Sequence, residues 1–177
     1  MSPLAREVHV VDTNVPLVAN GAATVSSACV AACAGKLQEM MRTGHIVLDD
    51  AYRIIGEYGN KLNQSGQPGP GDVFFKWVLT NLSNPKKCTQ VALTPLDSDQ
   101  ADFEEFPADL RQVGFDRSDR KFVAVAAAHG GTSRILQAFD SKWWGWRKDL
   151  KAAGVQVVFL CELEIRLKHE QKQRSGR

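Results

Sequence analysis

Four acidic residues set the chemical question: Asp12, Glu57, Asp119 and Asp140. Asp12 ends the first β-branched run, Glu57 sits inside a helical stretch, Asp119 opens a later helix, and Asp140 ends a fourth apolar run. Carboxylates gathered at one place repel, so without compensation their pKa values rise and the site costs stability. A divalent cation resolves that conflict. Mg2+ or Mn2+ takes oxygen ligands from a few carboxylates and leaves positions for phosphate oxygens. Such an ion can orient and acidify a water for in-line attack on phosphorus while neutralising the leaving oxygen; two ions about 3.5 to 4 Å apart can divide those tasks. No covalent nucleophile is then needed. The chain has no G-x-S-x-G elbow, no Walker-type phosphate loop and no Cys-His pair that reads as a nucleophile.

Each acid also has a structural alternative. Asp12 can cap a turn, Asp119 suits a helix N-terminus, and Glu57 can face solvent. Asp116 competes with Asp119 but fits capping better, as Asp49 and Asp50 do beside Glu57. Arg117, Arg120 and Lys121 flank Asp119 and can hold substrate phosphates, with one of them pairing with an acid instead. Trp143, Trp144 and Trp146, followed by Arg147 and Lys148, form the aromatic and basic pattern that grips unpaired bases. Two of the three are expected in the core. The run Asp97, Asp99, Asp102, Glu104, Glu105 and Asp109 reads as a solvated face or loop away from the substrate, or as a dock for a basic partner.

The elements that must position these groups alternate. EVHVVDTNV (7 to 15) is a buried strand ending in a loop, so Asp12 stands at a strand's carboxyl end. A helix is expected from about Val25 to Arg42, stopped by Gly44, then a strand over 45 to 50 and a helix from near Ala51, capped by Asp49 or Asp50. The stretch 59 to 72 is a Gly- and Pro-rich surface loop, 73 to 82 a helix and 88 to 93 a strand. A helix over 116 to 131 takes Asp116 or Ser118 as its cap, 134 to 139 is a strand, a helix runs from about Lys142 to Ala153, and 155 to 161 is the last strand. Strands alternating with helices make a three-layer α/β/α fold around a parallel sheet of about five strands. Ligand sites in such sheets lie beyond the carboxyl ends of the strands, where the strand order reverses, and Asp12 and Asp140 occupy that edge.

Bulk properties bound the reading. A chain of 177 residues, 44% hydrophobic and 24% charged, suits one domain over residues 1–161 with a basic polar tail over 162–177. From Glu162 onward five Lys/Arg face three acids, enough to carry the net charge of +2, and a solvated, frayed end is the plain reading of that tail. No apolar run approaches the ~20 residues of a membrane span and no signal-like stretch opens the chain, so no membrane partner and a cytoplasmic location are expected. Cys29, Cys33, Cys88 and Cys161 read as small core hydrophobes rather than a disulfide framework. Cys29 and Cys33 share a helix face, but no second Cys or His pair stands at a zinc-like spacing. His9, His45, His129 and His169 show no ligand spacing.

Taken in order, VVDTNV, the helix with Glu57 and Tyr58, DRKFVAVAAA (119 to 128) and ILQAFDSKW (135 to 143) resemble a PIN domain over roughly residues 7 to 161. The resemblance implies a Rossmann-like parallel sheet, dependence on Mg2+ or Mn2+ and, most often, endoribonuclease activity on single strands. It matches Asp12 to the first acid, Asn14 to the small polar residue that supports it by hydrogen bonds, Glu57 to the second acid, Asp119 to the acid before the Ala-rich helix and Asp140 to the acid after the fourth strand. One departure stands out. Many members carry a further acid two residues after the fourth, where this chain has Lys142, which weakens a second metal and makes Lys142 a candidate for substrate phosphate instead.

The expected function is a metal-dependent endoribonuclease, as a toxin or defence nuclease or as an RNA-processing enzyme. A catalytically weak PIN-like module for RNA binding or protein docking is the alternative, kept alive by Lys142, and a DNA nuclease is the third. An inhibitory or regulatory protein partner is compatible with these roles, as is a homodimer.

Overall fold

The computed structural model describes residues 6–22 and 24–176; residues 1–5 of the expected domain and Arg177 of the expected tail lie outside them. Strands β1 (Val8–Val11), β2 (His45–Asp49), β3 (Cys88–Val91), β4 (Arg134–Gln137) and β5 (Gln156–Phe159) form one sheet in the order β3-β2-β1-β4-β5, every pairing parallel. Their aliphatic runs are the reason. Val10, Val11, Ile46, Val47, Leu48, Ile135 and Leu136 are fully buried, as strands covered on both faces require.

The chain first steps outward from β1 to β2 through α1 (Asn14–Ala19) and α2 (Ser27–Thr43), then to β3 through α3 (Arg53–Lys61) and α4 (Pro70–Asn81). It returns past α5 (Ala108–Gln112) and α6 (Arg120–Ala128) to β4 on the other side of β1, and continues through α7 (Ser141–Gly145) and α8 (Arg147–Ala152) to β5 and α9 (Glu162–Ser175). Right-handed crossovers that run in opposite directions lay their helices on opposite faces, which gives the three α/β/α layers expected from the sequence. The order reverses between β1 and β4. Among the described residues no helix is long and apolar enough to cross a membrane.

Local chemistry explains the boundaries. Asp49 ends β2 with its side chain fully buried, and its oxygens accept the N–H groups of Arg53 (2.9 Å) and Ile54 (3.0 Å) at the start of α3. Gly71 lies so close to α1 that a Cβ there would meet the Pro16 carbonyl oxygen at 2.0 Å, so this end of the Gly-rich loop is packed down against the domain. Neither Asp116 nor Ser118 caps α6; a 3-10 turn over Arg117–Asp119 leads into it without a side-chain cap. The helix expected from 142 to 153 breaks at Trp146 into α7 and α8.

Two expectations about the carboxyl-terminal part change. Residues after 161 are not a frayed end: α9 runs to Ser175, buries Ile165 completely, and holds Ser141 through His169 Nδ1 on its carbonyl (3.2 Å) and Lys172 Nζ on its hydroxyl (2.8 Å). Good helix formers with no Pro make that segment helical, and one isoleucine is too thin an apolar signal to announce its docking. Cys29 and Cys161 are joined in a disulfide across 132 positions of sequence, so these two are not merely core hydrophobes. Cys33 and Cys88 remain free, buried thiols, as expected of them.

His9 gives the fold a pH dependence. It lies on β1 at 1% exposure, with Nδ1 lacking a hydrogen-bond partner among the described residues and Nε2 3.5 Å from Glu7. Burial, assisted by the charge of Lys36, pushes its pKa down from 6.5 to about 4. The unfolded chain therefore takes up this proton first as the pH falls, so the associated stability is complete above about pH 6.5 and is lost on the way to about pH 4. Between about pH 7 and 4.5, wild type should lose roughly 2 to 3 kcal/mol more than His9→Val in urea unfolding. Equal losses in the two proteins would remove His9 from the account.

Candidate functional site

The pairing of Val11 with Leu136 sets the end of β1 beside the end of β4, and Asp12 N–H donates to the Leu136 carbonyl at 3.0 Å. Asp12 is only 3% exposed. Its Oδ1 accepts the backbone N–H of Asn14 at 2.8 Å, while the Asn14 side chain donates to Gln137 Oε1 at 3.3 Å. Asn14 thus supports Asp12 as expected, but through its backbone, and its side chain ties α1 to β4. On α3, the fully buried Tyr58 donates its hydroxyl to the Val11 carbonyl, which pins the helix carrying Glu57 to the end of β1. Asp119, just before α6, accepts Trp143 Nε1–H at 3.0 Å. Asp140 caps α7 by accepting the Lys142 N–H at 2.9 Å.

Electrostatics tie the four acids together. Burial first, then the charge of Asp119, pushes Asp12 up to about 8; Glu57 and Asp140 push the same way, against the Asn14 N–H. Burial also raises Asp119 to about 6, with the Trp143 hydrogen bond opposing it and Asp140 adding to it. Asp12 and Asp140 follow the carboxyl ends of β1 and β4, where the strand order reverses, and the charges of Glu57 and Asp119 reach Asp12 there. The four do not close further: among the described residues no three carboxylates bring oxygens within 4.8 Å of one another, whereas three cysteines bring their sulfurs that close.

The decisive feature is the distribution of cations. Among the described residues no Lys, Arg or His nitrogen lies within 4.0 Å of a carboxylate oxygen of Asp12, Asp119 or Asp140. Glu57 alone of the four has such partners, Lys121 at 2.6 Å and Lys61 at 3.9 Å. No family model, curated protein or solved structure matches this chain. The chemistry of this edge therefore rests on its own groups. Hard carboxylate oxygens, one of them nearly inaccessible to water and short of positive charge, suit a hard divalent cation such as Mg2+ or Mn2+.

The cations proposed for substrate phosphate fare unevenly. Lys142 is 58% exposed and pairs with Asp116 at 2.6 Å, so Asp116 serves as a counter-charge and not as a cap. Lys121 pairs with Glu57. Arg117 turns away to Asp97 (2.7 Å) and Asp99 (2.8 Å). Arg120 is buried, 2.8 Å from Asp102 and bonded to the Phe115 carbonyl, which removes it from the surface. Arg117, Arg120 and Lys121 are all paired, where one of the three was expected to be. The acidic run is a mostly exposed loop, as expected, but Asp97 and Asp99 reach Arg117, and Asp102 is buried between Arg120 and Arg111, the latter at 2.9 Å.

Of the tryptophans, Trp143 and Trp144 are buried, as expected for two of the three, and Trp146 packs 4.4 Å from the Phe115 ring. Arg147 stacks over Trp144 at 4.5 Å. A cavity of about 570 Å³ opens beside the site, lined in part by Glu57, Lys61, Arg117 and Lys121. Sequence reasoning missed Trp143 as a support for Asp119 and Gln137 as the bridge between α1 and β4. The second left a trace: a glutamine closing the otherwise apolar RIL run. Its Nε2 and the Thr13 hydroxyl are buried at this edge without hydrogen-bond partners among the described residues.

Proposed function

We propose that this chain is a metal-dependent endoribonuclease of the PIN type that hydrolyses single-stranded RNA. The observation that carries the reading is the buried Asp12, at the strand-order reversal, which feels the charges of three further acids and has no Lys, Arg or His nitrogen within 4.0 Å among the described residues. Asp12, Asp119 and Asp140, with Glu57, would hold Mg2+ or Mn2+. When bound, the ion supplies an acidified water and neutralises charge on the phosphate. The chain's own groups do the rest. The Asn14 N–H and Trp143 Nε1–H fix the carboxylates of Asp12 and Asp119, so less reorganisation is needed at the moment of reaction. Lys142 is exposed enough to exchange Asp116 for a phosphate oxygen, and Lys121 can do so from Glu57 once that carboxylate is engaged elsewhere.

A second reading, a PIN-like RNA-binding or docking module with little catalysis, is favoured by Lys142 in place of an acid and by its pairing with Asp116. Matched single strands of RNA and DNA, incubated with the purified protein and Mg2+, Mn2+ or a chelator, separate the readings. Internal cleavage of RNA is expected with either ion and none in chelator, with DNA cut more slowly. RNA bound but left intact with both ions would favour the second reading. Preferential cutting of DNA would reassign the substrate.

A further inference from the structure

The cysteines hold a second cluster, separate from the carboxylate edge. Cys29 and Cys33 sit one turn apart on α2, and the start of α9 brings Cys161 to them from far along the chain. Cys33 Sγ lies 3.9 Å from Cys161 Sγ, and all three sulfurs fall within 4.8 Å of one another, every one buried. The Cys29–Cys161 bond uses two of them and leaves Cys33, fully buried, aimed at the same point. A tetrahedral zinc with bonds of about 2.3 Å to sulfur holds its sulfurs about 3.8 Å apart, close to the Cys33–Cys161 separation.

We propose that Cys29, Cys33 and Cys161 of the reduced protein bind one thiophilic d10 cation of the zinc and cadmium class, and that the disulfide is the oxidised form of this site. A dithiol reduces the bond by two electrons: the S–S bond breaks, each sulfur takes a proton, and the dithiol leaves as a cyclic disulfide. Cation binding then releases thiol protons to solvent. Three thiolates on a divalent ion leave one net negative charge, which the N-terminal turns of α2 and α9 partly offset. The Cys29 carbonyl oxygen lies 3.7 Å from Cys161 Sγ, and Glu164, whose charge reaches Cys33 and whose oxygens accept from Ser26, is a further oxygen donor near the cluster. Glu164 also lines a cavity of about 540 Å³ with Thr24, Phe139 and Lys168. Without a cation, burial pushes the Cys33 thiol up to about 12, so this sulfur is inert on its own. Either form fastens α9 to α2, one by a covalent bond and the other by a metal, so the clasp survives in reducing and oxidising surroundings alike.

The test uses the full chain, reduced by a dithiol that is then removed without oxygen, and titrated with Cd2+. A thiolate-to-metal charge-transfer band should grow and saturate at about one ion per chain, and the oxidised protein should give none. Cys33→Ser should weaken binding at least about tenfold, with Cys33→Ala as the second variant if serine is not tolerated there. Cys88→Ser, at a buried thiol outside the cluster, and Asp12→Asn, at the carboxylate edge, should leave the band unchanged. If neither Cys33 variant folds, Cd2+ must still raise the unfolding midpoint of the reduced wild type. No band, a band that survives the loss of Cys33, or one that disappears with Cys88 overturns the proposal. A failure here leaves the nuclease reading standing, because the two sites share no residue.

Discussion

Asp12→Asn is expected to lower RNA cleavage by roughly 10³-fold or more, equal to about 4 kcal/mol of barrier, and at the same time to make the protein more stable in chelator. Both effects come from one carboxylate. Asp12 is nearly inaccessible and feels three other acids, and these push its pKa from 3.8 to about 8, with no cationic side chain within 4.0 Å among the described residues. In the unfolded chain it ionises near pH 4. The stability that a proton on Asp12 confers is thus complete below about pH 4 and is lost as the pH rises toward 8. At neutral pH, wild type either keeps that proton against bulk water or buries a charge, and asparagine does neither. Discounted for relaxation around the site, the gain should be about 2 kcal/mol, read as a higher urea midpoint for the variant in chelator. Adding Mn2+ should raise the midpoint of wild type and leave that of Asp12→Asn nearly unmoved. A variant less stable than wild type in chelator would show that Asp12 is an ordinary turn residue whose bond to the Asn14 N–H matters more than its charge.

Which parts were legible in the sequence follows from the range of the interactions involved. The strands announced themselves because burial on both faces demands runs dominated by aliphatic residues, such as VHVV and HIVL, and the helix stops at Gly44 and the Gly130-Gly131 pair are local chemistry. Asp12 and Asp140 were readable for the same reason, since each ends such a run. What could not be read is the partnering of side chains far apart in sequence. Arg120 looks like any surface arginine beside Asp119 until the chain brings Asp102 against it and helix geometry turns it inward. Cys161 has no local sign that it meets Cys29, and its place as the residue before α9 was hidden by the weak apolar signal of that helix. The crosslink also sits uneasily with a cytoplasmic location, where thiols stay reduced. A site whose sulfurs take a metal in one compartment and a disulfide in another removes that tension.

Trp143 shows how packing and chemistry separate at a single residue. It is fully buried, meets Phe115 edge to face at 5.1 Å, and donates Nε1–H to Asp119. Trp143→Ala removes the ring and the hydrogen bond together, and should cost about 3 to 5 kcal/mol of folding stability. Trp143→Phe keeps an aromatic ring of smaller volume in place, so its loss of stability should stay below about 2 kcal/mol. Yet phenylalanine cannot donate, and Asp119 then loses the hydrogen bond from Trp143 Nε1–H. The carboxylate is free to rotate, and its pKa rises further because the bond that opposes burial is gone. Supports of this kind are worth about 10- to 100-fold in metal affinity or activity, so Trp143→Phe should weaken Mn2+ binding by that factor at a pH where the fold is intact. Raising the pH should recover part of the loss, since ionising Asp119 restores a ligand that the missing donor had favoured. A purely structural tryptophan predicts the opposite: Mn2+ affinity unchanged in the folded Trp143→Phe protein, with any loss of cleavage tracking the unfolded fraction alone.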